Sequence, residues 1–358
     1  MISQVKFAAL LFFITLLMVP RPGSTQVSNP NGDLTPLDAD MIWAQTLEGS
    51  HFNEFWNYQF YFNDGIKLHV TFSAANFGNL KDPVTGVRLS VFNHGGDTYQ
   101  LSREYPLPYL VQDTENYRFQ LREDRQLFFE GKLPEKHRVV INTSKDGVEY
   151  DIDIRLTDIQ NGFKLGDGAY RIGNERVGIV THIPYAKASG HVTINGDRKR
   201  VQGSAYMDHT WQNQTTTKLM HSGYRFVYHQ DKNNWDLIYT MQPDDSRNNT
   251  MIGHRITRED GEKRYSAVAN MDVVSSQKAF GNTIPRIIDL NLENSSSVRL
   301  TRTEDQERFT VLGELSWVAR RAARAFLGGE VIDYRGEAVL MESSKRPKHG
   351  EYNFFFVD

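Results

Sequence analysis

Alternation of apolar and polar side chains constrains the fold of this chain more than any other feature. The clearest case is a predicted hairpin whose turn is Asn63-Asp64-Gly65. Its apolar series runs through Trp56, Tyr58, Phe60 and Phe62, and then through Ile66, Leu68, Val70 and Phe72. Mostly polar residues fill the positions between, which is the period-2 pattern of an antiparallel sheet with one buried face.

Similar segments recur along both halves of the chain, at 87–91, 117–121, 150–156, 223–228, 235–239, 286–290 and 298–301. Short strands separated by Gly, Asn and Asp turns are typical of an all-β sandwich or barrel. The first half shows no long helical pattern, so a βαβ sheet is disfavoured. Both halves have similar length, which permits two antiparallel barrels in tandem with a junction near residues 189–212.

One short helix is predicted before the last strands, over residues 314–327, and Gly328-Gly329 ends it. Its apolar face consists of Leu315, Val318, Ala322, Ala325 and Phe326. The arginines at 320, 321 and 324 lie elsewhere on the helix. We interpret them as solvated side chains favoured by the helix dipole, in preference to an anion or membrane site. Residues 353–357 are apolar and predicted to dock as an edge strand.

The first 25 residues predict a signal peptide, with Lys6 before an apolar run over 7–19 and small residues at Gly23-Ser24-Thr25. An uncleaved anchor is the weaker interpretation, because the run is short for a membrane span. We therefore expect an exported protein, periplasmic or secreted, with no integral membrane span in the mature chain. Residues 26–40 are predicted as an extended linker, 41–215 as the first domain and 216–358 as the second.

Composition excludes several classes of chemistry. The 358 residues include no cysteine, so disulfides, thiol catalysis and zinc sites built on thiolates are excluded. A formal net charge of −3 gives no global reason to bind nucleic acid or an anionic membrane. The histidines lack metal-site spacing, and no Walker or G-x-S-x-G motif occurs. We predict no metal and no cofactor.

Residues 189–212 contain the strongest candidates for catalytic side chains. A turn at Asn195-Gly196 separates two alternating runs, and the second ends in Asp208-His209-Thr210-Trp211. His209 is a candidate general acid or base, Asp208 could orient it, and Trp211 could stabilise developing positive charge. Strand alternation places Asp208 beside Tyr206, and His209 beside Trp211, unless a bulge intervenes. The alternative is a buried structural His-Asp pair at the domain junction.

Aromatic residues on the predicted strands suggest where a ligand would bind. Trp56, Tyr58 and Tyr206 either line an apolar cavity or fill a core, since a small barrel does one or the other.

Two blocks of the chain resemble the carotenoid 1,2-hydratase (hydroxyneurosporene synthase) and AttH-like family. One is the aromatic opening at 54–58, and the other is the G-x-x-x-x-D-H-x-W segment from Gly203 to Trp211. The resemblance implies two tandem lipocalin-like (calycin) barrels and a hydrophobic isoprenoid or lipid-like ligand. It also implies that His209 and Trp211 match motif positions of hydratases that add water to an alkene. Gln212 replaces the glycine that often follows. The nearest counterpart of the family's downstream Tyr-x-Asp pair is Trp235-Asp236, which we take as further ligand-binding candidates.

Three functions remain open from the sequence. The first is an enzyme that hydrates or isomerises an alkene in a hydrophobic small molecule by acid–base chemistry. The second is a non-catalytic lipid carrier, and the third is a carbohydrate-binding β-sandwich.

Overall fold

The computed structural model describes residues 27–243, 250–310, 312–313 and 317–358. The predicted signal peptide lies outside them. The strands of the first half are β1 (Val27–Ser28), β2 (Leu34–Pro36), β3 (His51–Phe62), β4 (Lys67–Phe77), β5 (Val84–His94), β6 (Asp97–Pro106), β7 (Leu110–Asp113), β8 (Arg118–Leu121), β9 (Gln126–Glu130), β10 (His137–Lys145), β11 (Val148–Thr157), β12 (Phe163–Leu165), β13 (Ala169–Ile172), β14 (Glu175–Ile194) and β15 (Asp197–Gln212).

The described ranges of the second half contain two helices and eight strands. They are α1 (Thr216–Leu219), β16 (Met220–Asp231), β17 (Asn234–Pro243), β18 (Ile252–Glu259), β19 (Glu262–Ala279), β20 (Asn282–Leu292), β21 (Ser297–Thr310), α2 (Trp317–Leu327), β22 (Val331–Glu342) and β23 (Lys348–Val357). Single 3-10 turns occupy Ala39–Ile42, Gly78–Leu80 and Leu107–Tyr109.

The first half forms a nearly closed antiparallel barrel of eleven strands, in the order β6-β5-β4-β3-β15-β14-β11-β10-β9-β8-β7. Strands β1 and β2, from the segment predicted as a linker, pair with β13 and β12. Packed aromatic rings fill the barrel interior. These include Trp56, Tyr58, Phe60, Phe72, Phe119 and Phe129.

The second half forms a closed barrel of eight strands, from β16 to β23. Strand β23 pairs with both β22 and β16. The prediction of an edge strand at the chain's end was therefore wrong, because this strand closes the ring and satisfies hydrogen bonds on both sides. The all-β class and the tandem barrels are confirmed. The sandwich architecture of the carbohydrate-binding alternative is not found.

The short helix before the last strands is confirmed as α2, but its predicted packing face is wrong. Ala323 and Leu327 are its buried residues, and they pack against Leu312 and Phe77. Phe326, from the predicted face, is 50% exposed. Residues 314–316 and the side chain of Val318 lie outside the described parts. The described members of the predicted face, Ala322, Ala325 and Phe326, are exposed, so periodicity did not indicate which side of the helix meets the protein.

The outer surfaces of the barrels pack against each other. Apolar clusters bridge them, such as Tyr170 and Ile172 with Met220 and Met241. Between strands β3–β5 and strands β21–β23 the contact is mainly ionic, with Arg88 at 2.7 Å from Glu307 and Lys67 at 2.5 Å from Glu337. The interface therefore buries Glu307 and most of Arg88, whereas Glu337 stays partly exposed at its edge.

We predict that Phe129→Ala lowers the free energy of unfolding by about 3–5 kcal/mol, because it opens a cavity in the aromatic core. Phe129 is 1% exposed and stacks on Phe119 at 4.7 Å. Urea unfolding followed by circular dichroism measures the loss. Phe280→Ala is the matched control, since Phe280 is 52% exposed. Equal losses in the two variants would contradict the core assignment.

Candidate functional site

Strand β15 presents two different groups on its two faces. It pairs with β3, so that His209 lies opposite Trp56 and Asp208 lies opposite Asn57. His209 points to the interior of the first barrel, and Asp208 points to the second barrel. The alternation predicted from sequence is confirmed, and Asp208 cannot orient His209. The motif thus contributes to two separate clusters.

The interior cluster is built on a hydrogen-bonded pair, His209 and Glu54, whose acidic member the sequence analysis missed. The Nε2 atom of His209 lies 2.7 Å from the Oε1 atom of Glu54, and both side chains are fully buried. The Nδ1 atom of His209 lies 3.2 Å from the carbonyl oxygen of Met41. Glu54 falls in the same alternating register as Trp56 and Tyr58. An acid at an inward-facing position was the signal that could have identified it.

Glu54 also accepts hydrogen bonds from the segment that seals this end of the barrel. Its carboxylate accepts hydrogen bonds from the backbone N–H groups of Gln45 and Thr46, at 2.7 and 3.0 Å, and from the Thr46 hydroxyl at 3.0 Å. The Trp56 indole donates to the Ile42 carbonyl at 2.7 Å. These bonds hold residues 41–46 in place over the barrel end.

Aromatic rings surround His209. Trp56 stacks on it at 4.6 Å, His182 lies at 5.6 Å and Trp211 lies at 5.1 Å. The Trp211 ring rests on Gly178, where a Cβ atom would come within 1.9 Å of it. A glycine is required here because any side chain would displace the indole.

Both ring nitrogens of His209 face acceptors, a carboxylate and a carbonyl. This arrangement fixes structure well, and it leaves neither nitrogen directed at a substrate. The catalytic roles of His209 and Trp211 stay predictions.

The second cluster lies between the barrels and begins at Asp208. Its carboxylate accepts hydrogen bonds from the Tyr206 hydroxyl at 3.0 Å and the Asn57 amide at 2.8 Å, and it forms a short ion pair with Arg225 of β16. Asp208 and Arg225 are 1% and 7% exposed. Burial lowers the pKa of the Arg225 guanidinium, but Asp208, Tyr206 and Tyr239 more than offset it, so that pKa is raised and the group stays charged.

Tyr61 and Glu351 extend this interdomain cluster. The Tyr61 hydroxyl donates to Gln59 at 2.7 Å and lies 3.1 Å from the Glu351 carboxylate of β23. Glu351 also binds His69 at 2.5 Å and Lys67 at 3.3 Å. Burial raises the pKa of Glu351, but His69 and Lys67 more than offset it and hold that pKa at about 2. Burial and Glu351 together raise the pKa of Tyr61 well above its usual value, so the phenol stays protonated.

His229 is the least satisfied member of the interdomain cluster. Its ring meets Tyr61 edge-on at 4.4 Å, and Tyr185 lies at 6.0 Å. Both ring nitrogens are buried, and within the described parts of the chain neither has a hydrogen-bond partner. Burial lowers the pKa of His229 to about 4, so the ring is neutral at ordinary pH. A neutral imidazole offers one donor and one acceptor to whatever lies beside it.

The other predicted ligand-binding residues occupy structural positions. Tyr58 bonds to His137 at 2.8 Å inside the first barrel. Trp235 stacks on Phe163 at 5.6 Å in the interdomain layer that also contains Tyr206. The Asp236 carboxylate binds Arg255 at 2.7 Å and Lys348 at 2.8 Å. Asp236 is therefore part of an ion network within the second barrel and does not converge with His209.

Outside these two clusters, the described residues offer a surface groove but no metal site. A surface groove of about 820 Å³ on the first barrel is lined by mixed charges, including Arg103, Arg122 and Glu149. Among the described residues, no cluster of three His, Asp or Glu side chains could hold a metal ion. None of the helices in the described ranges is long and apolar enough to span a membrane.

We predict strong coupling between Glu54 and His209 in a double-mutant cycle. Either single change, Glu54→Met or His209→Met, costs about 3–5 kcal/mol of unfolding free energy because it leaves an uncompensated buried partner. The double variant loses less than the sum, by at least about 2 kcal/mol. Urea denaturation of the four proteins measures this. Additive losses would show that the two side chains do not interact.

We predict that His229 makes the fold less stable in mild acid. The unfolded histidine, with a pKa of 6.5, takes a proton at pH 5, while the folded ring with its pKa of about 4 does not. Between pH 7 and pH 5 this difference lowers the free energy of unfolding by about 2 kcal/mol. The variant His229→Gln lacks this pH-dependent loss. His221→Gln, at an exposed position of the same strand, is the control. An unchanged pH dependence in His229→Gln would refute the assignment.

Comparison with known proteins supports the fold. No protein-family model and no curated protein sequence matches the chain. A crystal structure assigned as an AttH protein from Nitrosomonas europaea matches with a TM-score of 0.63 and 12% identity, over 89% of this chain and 97% of that one. Kievitone hydratase from Nectria haematococca matches with a TM-score of 0.56 and 16% identity, over 93% and 98% of the two chains.

A third structure, CghA with Sch210972, matches with a TM-score of 0.60 and 12% identity, over 94% of this chain and 97% of that one. Each match covers nearly the whole of both chains, so the shared feature is the complete two-barrel architecture. The resemblance to the AttH-like tandem lipocalin proteins is thereby confirmed at the level of the fold.

Proposed function

We propose that this protein is an enzyme that binds a hydrophobic, isoprenoid or lipid-like small molecule between its two barrels. The reaction is a proton transfer that hydrates or isomerises an alkene. The observation that carries the proposal is His229, whose two buried ring nitrogens lack partners in the described structure. Buried polar atoms in folded proteins are nearly always hydrogen-bonded, so an unpaired imidazole points to a ligand or water.

The groups around His229 suit such chemistry. For hydration, the neutral ring takes a proton from water as the oxygen adds to one alkene carbon, and returns a proton to the other carbon. For isomerisation, it moves a proton from one carbon to another. The Tyr61 phenol stays protonated and holds Gln59 and Glu351 through its hydroxyl, and the anionic Glu351 stabilises positive charge nearby. The name kievitone hydratase supports the hydration form.

The carrier alternative has less support. Carriers with this kind of fold hold a ligand inside a barrel, and here aromatic side chains pack the first barrel's interior. The layer between the barrels instead offers charged and hydrogen-bonding groups at fixed positions, which favours chemistry over sequestration. Export stays part of the proposal on the strength of residues 1–25 alone.

The test begins with native mass spectrometry of the purified chain and extraction of any bound small molecule, which then serves as substrate. We expect His229→Gln to lower kcat by about 100-fold, the usual contribution of a general acid or base. Tyr61→Phe should lower kcat by about tenfold through one lost hydrogen bond to a charged network. His221→Gln should leave turnover unchanged.

Two results would count against this assignment. Full turnover by a folded His229→Gln variant would refute the interdomain site. Loss of turnover in a folded His209→Gln variant, with His229→Gln active, would move the chemistry to the interior of the first barrel. Circular dichroism of each variant separates a catalytic loss from unfolding.

A further inference from the structure

We propose that one end of the second barrel docks on an anionic lipid surface. The docking surface consists of the exposed half of α2 and the tip of the β19–β20 hairpin. Its apolar residues are Trp317, Phe326 and Phe280, and its basic residues are Arg321, Lys278 and Arg286. This inference is independent of the proposed function, because it uses none of the interdomain groups.

Helix α2 presents large aromatic side chains to solvent. Trp317 is 72% exposed and Phe326 is 50% exposed. Among the side chains that the structure describes, Ala323 and Leu327 make the apolar contacts between this helix and the rest of the protein. An outward-facing Trp and Phe on one short helix are typical of helices that lie in a membrane interface.

Ion pairs fix the orientation of this helix. Arg320 lies 2.7 Å from Glu330, and Arg324 lies 3.0 Å from Asp358. Glu330 is itself buried. These two arginines are therefore anchored toward the barrel. Trp317 and Phe326, about 180° apart around the helix, flank its outward side. The remaining arginine of the helix, Arg321, is exposed and lies 5.7 Å from the Trp317 ring centre.

The β19–β20 hairpin presents the same combination of residues. Phe280 is 52% exposed at its turn, and Val273 and Val274 are about half exposed behind it. Lys278 and Arg286 are exposed on the same hairpin. Phe280 also meets the Tyr334 ring of β22 at 6.5 Å. Since α2 connects the end of β21 to the start of β22, both features lie at one end of the barrel.

The charge of the docking surface indicates which partner it binds. Neither residues 273–286 nor residues 317–327 contain an acidic side chain. Acidic side chains beside these segments are mostly paired, Glu330 with Arg320, Asp358 with Arg324 and Asp305 with Arg302, and Glu304 is exposed. Lys278, Arg286 and Arg321 therefore leave a local excess of positive charge in a chain whose net charge is −3. An anionic bilayer offers phosphate groups to the basic side chains and hydrocarbon to the rings. A second copy of this surface would instead bring like charges together.

Vesicle co-sedimentation of the full chain tests the proposal, with vesicles of phosphatidylcholine alone or mixed with phosphatidylglycerol. We expect binding to the mixed vesicles, and a loss of about tenfold or more in the partition coefficient for Trp317→Ser/Phe326→Ser. Phe280→Ser is a second variant at a separate element. Tyr109→Ser is the control, because Tyr109 is 48% exposed on the first barrel.

The apolar N-terminal run is present in every variant, so differences between variants report the docking surface. Equal binding of the folded double variant and the unchanged protein would overturn the proposal. Equal binding to neutral and anionic vesicles would do so too. A dimer seen by light scattering, and lost in the double variant, would assign the surface to a second copy instead.

Discussion

Ion pairs buried between the two barrels determine how the barrels sit against each other. Lys67, His69 and Arg88 on the first barrel face Glu307 and Glu351 on the second. A charge removed from water is tolerated only with a well-placed partner, so small shifts of one barrel carry a large free-energy cost. Such pairs add little net stability but specify one arrangement. That arrangement places Tyr61 against His229 and Asp208 against Arg225.

The sequence was sufficient for features that depend on neighbouring residues. Strand alternation and turn residues identified the hairpin of β3 and β4 and the hairpin of β14 and β15, because both signals are local. The same alternation correctly predicted that Asp208 and His209 point to opposite faces of their strand. The tandem barrels followed from a resemblance in two short blocks, and the structural matches support it over nearly the whole chain.

The sites could not be predicted to the same extent, because their partners are distant in sequence. Glu54 and His209 are 155 residues apart, and Tyr61 and Glu351 are 290 apart. No local pattern connects such pairs. The closing role of β23 was missed for the same reason. For α2, periodicity defined an apolar face, but whether protein or another surface covers that face is decided by tertiary packing.

Strand β15 contributes residues to both clusters, and this affects how substitutions on it must be interpreted. His209 and Asp208 are adjacent, about 3.3 Å apart along the strand, and face opposite sides. A change at His209 releases Glu54 and the sealing segment, and it can shift the backbone that positions Asp208 against Arg225. Loss of activity in a His209 variant alone therefore does not identify a catalytic residue. The ring contacts of His229 are with Tyr61 and Tyr185, so a His229 variant leaves the Glu54–His209 pair in place and tests the chemistry without releasing the sealing segment.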